Sequence, residues 1–261
     1  MTPPTALRMV AKAAAMPLGL VTRRRPGDLT ILLYHRVGAG EREIDLPLRV
    51  FEAQMELLRA RHGPVPLDDA LADRDGRRVV VTFDDGYRDF HDYVLPVLIR
   101  MRIPALLYLA TGLVAGGRRD RASDALTWDQ LREAVATGLV TVGSHTHTHA
   151  DLSKASESEA REEMKRSKDL VEDRLGVPCR HFAYPWSVAS PASTRVAPSL
   201  FRTAALEWRT NRRPIRDPYR LGRVPVMRGD GVGFFRAKVR GWLDAEALVY
   251  QAMRRGPWRV G

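Results

Sequence analysis

From residue 29 onward, aliphatic runs of strand length alternate with segments of helical periodicity, and this alternation restricts the fold more than any other feature of the chain. The runs are LTILLY (29–34), RVVVTF (78–83), PALLYLA (104–110), LVTVGS (139–144), RHFAY (180–184), FRTAAL (201–206) and RLGRVPV (220–226). Most are almost continuously apolar, as in strands covered on both faces. Helical patterns lie between them. RVFEAQMELLRARHG places Phe51, Met55 and Leu58 on one face and ends at Gly63. YRDFHDYVLPVLIRM follows the second run. TWDQLREAVATG opens with Thr127 and Gln130 at capping-box spacing, and SESEAREEMKRSKDLVEDRLG with Ser156 and Glu159, before stops at Gly138 and Gly176. The tail GFFRAKVRGWLDAEALVYQAMRRG has a helical pattern despite Gly241. Alternating strands and helices imply a parallel sheet, and the missing dinucleotide and phosphate-loop glycines favour closure over double winding. The expected architecture is an α/β fold, a distorted (β/α) barrel of about seven parallel strands. It would occupy residues 29–261 as one domain ending in a C-terminal helix, behind a basic leader or weak anchor over residues 1–28.

Composition enters at two points. With 44% hydrophobic and 28% charged residues the chain can bury a sizeable core, which excludes a disordered class. Its 42 Lys and Arg against 31 Asp and Glu give a net charge of +11, but no basic run is longer than Arg23-Arg24-Arg25. Such dispersed charge reads as a solvated basic surface, compatible with peripheral attraction to an anionic membrane and giving no reason to expect nucleic acid. The single cysteine, Cys179, excludes an intrachain disulfide. Near the N-terminus, Arg8 and Lys12 interrupt the apolar run, and three arginines stand where a small-residue cleavage site belongs. That makes a poor signal peptide and too short a segment to span a bilayer. A cytoplasmic or peripheral membrane location is therefore expected.

In a parallel barrel the C-terminal strand ends meet on one rim, where reactive groups gather. His35 ends the first run, Asp84 and Asp85 the second, His145 the fourth and Tyr184-Pro185-Trp186 the fifth. An Asp-Asp-Gly sequence alone is often only a turn. Beside histidines it gains a second meaning, because two imidazoles and one carboxylate make a three-ligand zinc site with an open position. Such an ion would bring the pKa of water toward about 7. His145, His147 and His149 alternate in the sequence. An extended strand would put all three on one face, whereas a turn would pair His145 with His149. Spacing leaves both arrangements open.

TFDDGY (82–87) and SHTHTHADL (144–152) together resemble the first two motifs of the polysaccharide deacetylases, the NodB-homology or carbohydrate esterase family 4 enzymes. RHFAYPWS (180–187) resembles the third motif in its FAYP form, found in the branch that includes the poly-N-acetylglucosamine deacetylases. The likeness runs from about residue 30 to about residue 226, taking in LLYHRVG and YRLGRVPV. It implies a NodB-like barrel and a metal-dependent hydrolase that removes N-acetyl groups from sugars in a polysaccharide or glycan. In the second motif, H-[ST]-x-x-H, the matching residues are His145, Thr146 and His149. The resemblance thus implies a divalent ion, zinc above all, held by Asp85, His145 and His149, with His147 outside the ligand set. It implies Asp84 as general base toward the attacking water and the main-chain N–H of Trp186 as an oxyanion donor.

Two departures from the family pattern shape the remaining expectations. Ala183 stands where the third motif usually carries an arginine that orients the base, so Arg180 and Arg223 become candidates to replace it. No histidine follows His181 to serve as general acid. In the poly-N-acetylglucosamine branch, whose motif order is circularly permuted, an N-terminal Tyr-His supplies that group, and Tyr34-His35 offers His35 here. Tyr87, Tyr184 and Trp186 are candidates to stack on a sugar, though packing explains each equally well. Ester hydrolysis of O-acetyl groups, hydrolysis of a small cyclic amide, and a silent sugar-binding homologue are the alternatives. The retained Asp84 speaks against the last, since metal binding alone does not require it. Polymer deacetylases mostly work outside the cell, which opposes the location expected from the leader. Glycan identity and oligomeric state are left open.

Overall fold

Because the apolar runs have no polar face, each needs cover on both sides, and the structure supplies it with a sheet rolled inside a layer of helices. The computed structural model describes residues 28–38, 40–73, 76, 78–114, 124–207, 210–211 and 214–241. Along the chain, β1 (Leu29–Tyr34), β2 (Arg36–Val37) and β3 (Asp45–Leu46) precede helices α1 (Leu48–Arg61) and α2 (Leu67–Ala72). β4 (Arg78–Asp85) leads through a π-helical turn (Phe90–Val94) into α3 (Leu95–Met101). β5 (Ala105–Leu109) is followed by α4 (Trp128–Ala136), β6 (Val140–Ser144) by α5 (Glu157–Leu175), and β7 (His181–Ala183) by α6 (Pro191–Leu200). β8 (Thr203–Glu207), β9 (Leu221–Gly222), β10 (Val224–Pro225) and α7 (Val232–Val239) complete the described strands and α-helices.

The main sheet has eight parallel strands in the order β10-β1-β4-β5-β6-β7-β8-β9. Its two outermost strands, β9 and β10, are separated in sequence only by Arg223, so one residue joins the edges and the sheet forms a nearly closed barrel. The expectation of about seven strands is met except at the last run, which divides. Leu221–Gly222 pairs with β8 and Val224–Pro225 with β1. Asn211 fastens this seam. Its Oδ1 accepts the Gly222 N–H at 2.7 Å, and its Nδ2 donates to the carbonyls of Gly222 (2.7 Å) and Leu29 (3.4 Å).

Alternation along the strands sorts side chains into two packed sets. Leu29, Ile31, Val80, Leu106, Tyr108, Ala183, Ala205 and Leu221 fill the barrel interior, with Leu67 and Ala70 of α2 packed among them. Val79, Val81, Phe83, Leu107 and Val142 face outward, against Phe51, Met55 and Leu58 of α1, Leu131 of α4, and Met164 and Val171 of α5. Gly143 is required where it stands, since a Cβ there would lie 2.7 Å from the His181 carbonyl and 2.9 Å from the Tyr108 ring. Both expected capping boxes are formed, and α5 stops at Gly176 with φ 67°. Apart from Asp28, the leader expected over residues 1–28 lies outside the described residues, as does the tail helix beyond residue 241. No helix among the described residues is long and apolar enough to cross a membrane.

Candidate metal centre and active site

β4 delivers two aspartates to the barrel mouth by two different routes. Asp84 shares the inward parity of Val80 and Thr82, and it lies in register with Tyr108 on β5. Strict alternation would turn Asp85 outward. Its φ of 74° breaks the strand instead, and its Oδ1 comes within 3.1 Å of His149 Nε2 and 3.6 Å of His145 Nε2. Both aspartates are buried.

His145 follows β6, and its Nδ1–H donates to the Ala183 carbonyl at 2.7 Å. That bond sets the tautomer and turns an unprotonated Nε2 toward the aspartates. Burial pushes the His145 pKa down to about 4, with the nearby His149 and Arg223 adding to the effect against the two aspartates. The ring is therefore neutral near pH 7, as a metal ligand must be. The residues between the histidines form a turn, with φ of 65° at Thr146 and 58° at His149, and the Thr146 hydroxyl accepts the Ala150 N–H at 3.0 Å. The turn brings His145 and His149 together, ring centroids 5.0 Å apart. His147 points elsewhere, its Nδ1 3.0 Å from the Thr111 hydroxyl.

One nitrogen each from His145 and His149 and one oxygen from Asp85 lie within 4.8 Å of one another. Asp85 Oδ1 is buried and accepts no properly aligned hydrogen bond, although His149 Nε2 is 3.1 Å away. Its spacing from the two imidazoles is that of neighbouring ligands. Donors about 2.0–2.1 Å from a tetrahedral zinc lie roughly 3.3 Å apart, between the 3.1 and 3.6 Å found here. The donor set and its orphaned oxygen fit a divalent cation. Burial would raise the Asp85 carboxyl, but His149, His35 and His145 outweigh it and hold the group below the ordinary carboxylate range.

Asp84 is committed to a different partner. Arg223, the residue between β9 and β10, donates from Nη1 to Oδ1 at 2.5 Å and from Nη2 to Oδ2 at 2.8 Å. Both side chains are buried, and the guanidinium lies 5.1 Å from the Tyr108 ring centroid. Burial alone would raise the Asp84 pKa; Arg223, His145 and His35 together bring it below the usual value. Arg180, the other arginine considered, is exposed and pairs with Asp68 at 3.7 Å, so it is not behind Asp84. His35, half-buried at the end of β1, acts electrostatically on both aspartates, and its Nδ1 is a buried atom without a hydrogen-bond partner.

The three aromatic candidates separate clearly. Trp186 is 42% exposed, has φ of 59°, and sets its ring edge-on to His149 at 4.8 Å. Tyr87 is nearly buried beneath the Arg36 guanidinium, 4.9 Å from its ring. Tyr184 is fully buried, packed edge-on against Phe182 at 4.7 Å, so it belongs to the core and cannot line a sugar site. Its parity explains the correction, since it continues the outward series of Phe182. Tyr108 is a site neighbour that the sequence reading passed over. Its hydroxyl is buried without a hydrogen-bond partner, and burial raises its pKa. The available signal was its place in an inward series at the register of Asp84.

The family model for polysaccharide deacetylase matches residues 72–204. Bacillus subtilis YxkH, which carries the same family description, is 26% identical over 172 residues, covering 63% of this chain and 59% of that protein. The poly-β-1,6-N-acetyl-D-glucosamine N-deacetylase of Staphylococcus epidermidis is 31% identical over 120 residues, 43% of this chain and 41% of the relative. The alignments thus span about three fifths and two fifths of those relatives' lengths. The structure of IcaB from Ammonifex degensii is similar with a TM-score of 0.72 and 28% identity, over 84% of this chain and 97% of that one.

Proposed function

The chain belongs to the polysaccharide deacetylase family, and we propose that it is a metal-dependent hydrolase removing N-acetyl groups from a polymeric N-acetylated sugar. The substrate class is taken from the activity named for the Staphylococcus epidermidis relative. The observation that carries the reading is the unequal fate of adjacent carboxylates. Asp85 turns an unpartnered oxygen toward two imidazole nitrogens, while Asp84 has both oxygens fixed by Arg223. Metal binding alone would need only the first.

Asp85, His145 and His149 would hold the ion, and a donor set of two imidazoles and one carboxylate suits zinc. When bound, zinc supplies Lewis-acid polarisation of the scissile carbonyl and makes the attacking water more acidic. Asp84 takes the proton from that water at a carboxylate oxygen. Arg223 holds the carboxylate ionised and in one orientation, so reaction requires no search over rotamers. The main-chain N–H of Trp186, presented by a left-handed turn, donates to the developing oxyanion. His35 delivers a proton to the leaving amine. The exposed Trp186 ring offers a face on which a sugar can stack, with Tyr87 contributing at most an edge.

The test is acetate release from a β-1,6-linked N-acetylglucosamine oligomer. The protein should release acetate, a chelator should stop it, and Asp84→Asn should lower kcat by about 10²–10⁴-fold. Undiminished turnover in the chelated enzyme or in Asp84→Asn would refute the assignment.

A further inference from the structure

The turn that brings the two histidines together is strained and needs an external hold. Thr146 and His149 both occupy the left-handed region, which penalises residues other than glycine. One side is held by the turn after β5, where the Gly112 N–H donates to the His147 carbonyl at 2.6 Å and Thr111 meets the His147 ring. The other side is held by Glu163. Glu163 of α5 accepts the His147 N–H (2.9 Å) and the Thr148 N–H (2.8 Å) at Oε2, and the Thr148 hydroxyl (2.9 Å) at Oε1. These are the two residues that link Thr146 to His149. The helix bearing Glu163 is well anchored: Ala160, Met164, Ser167 and Val171 are buried, and Ser167 is hydrogen-bonded to Ser144 at the end of β6. An anchored helix therefore grips the ligand turn through three side-chain hydrogen bonds to one residue.

We propose that Glu163 is a positioning residue for metal binding, its carboxylate holding the 146–149 turn so that His145 and His149 converge on Asp85. The proposal rests on the metal reading above and extends it to a residue that touches neither ion nor substrate. Groups that orient metal ligands typically contribute about 10–100-fold to affinity when removed. The Glu163 main-chain carbonyl shares the His147 N–H at 3.1 Å. A side-chain substitution therefore leaves that N–H an acceptor, and Glu163→Ala should still fold.

The experiment titrates metal-stripped protein with Co²⁺, following the visible d–d spectrum, and records the Tm of each metal-free variant. The wild type should bind one ion and His149→Ala should abolish binding. Glu163→Ala should bind about 10–100-fold more weakly with an altered spectrum, while its metal-free Tm stays near that of the wild type. Glu163→Gln keeps an oxygen that can accept both N–H groups and should restore most of the affinity. Wild-type affinity and spectrum in Glu163→Ala would overturn the proposal. So would a Glu163→Gln as weak as Glu163→Ala, because charge rather than the grip would then be the cause. A loss of affinity matched by a lower metal-free Tm would make Glu163 a general fold contact and overturn it as well. Failure of the wild type to bind Co²⁺, or undiminished binding in His149→Ala, would instead remove the underlying metal reading and the proposal with it.

Discussion

At the residue scale, neighbouring carboxylates are distinguished by what each is allowed to touch. Asp84, Asp85 and Asp89 are all buried within a few residues of one another, yet their protonation is pushed in opposite directions. Asp84 and Asp85 are held low by cationic and imidazole partners. Asp89 is raised to about 6, chiefly by burial, with the Val37 N–H and Arg36 only partly offsetting it. Its Oδ2 accepts that N–H at 2.9 Å and lies 3.5 Å from Arg36 Nε, while its Oδ1 is buried without a partner. A carboxyl raised in the folded state binds its proton more tightly there than in the unfolded chain. Its stabilising contribution is therefore complete below the unfolded value of 3.8 and is lost as pH rises through about 6. The full span corresponds to about 3 kcal/mol at most. Asp89→Asn keeps an acceptor for Val37 and cannot ionise. Urea unfolding at pH 4 and pH 7 should show the variant gaining on the wild type by about 2 kcal/mol across that interval. A difference independent of pH would mean that Asp89 is not raised.

At the scale of elements, the decisive feature is the seam. The run 220–226 reads as one strand, because nothing in its composition marks Arg223 as an interruption. In the barrel it is two short strands whose shared residue crosses from one sheet edge to the other and reaches Asp84. Such a division depends on partners far away in the chain, β1 and β8, and so has no local signal. The same holds for Asn211, which lies in no strand run but closes the edges. Asn211→Ala would leave the buried Gly222 N–H without its acceptor, at a cost of about 1–3 kcal/mol. Equilibrium unfolding of the variant should show that loss, and an unchanged midpoint would show that the seam holds without it. Helices with strong local signatures were legible: α4 and α5 begin at the capping boxes read from Thr127 and Ser156. Helix α6 was not, because Pro191 and Pro198 mask a segment that its Ser190 cap and buried Val196 and Ala197 make helical.

At the scale of the whole molecule, the barrel turns distance in sequence into proximity at one rim. Its parallel order and the convergence of strand ends were legible in the alternation of runs, since alternation is a global property that survives local errors. The pairing of His145 with His149 was not decidable from spacing. It needs left-handed backbone at Thr146 and His149, which the sequence marks with no glycine and which outside contacts maintain. The choice of Arg223 over Arg180 likewise required closure of the sheet, and the burial of Tyr184 followed from strand parity rather than residue type. What the fold delivers to the rim is a three-donor pocket beside a fixed carboxylate, and the proposed chemistry requires a cation in the first. Anomalous diffraction at the zinc edge from zinc-soaked crystals tests this most directly. A single peak is expected about 2.0–2.2 Å from His145 Nε2, His149 Nε2 and an Asp85 carboxylate oxygen. A map with no peak there, or with zinc bound only elsewhere on the protein, would contradict it.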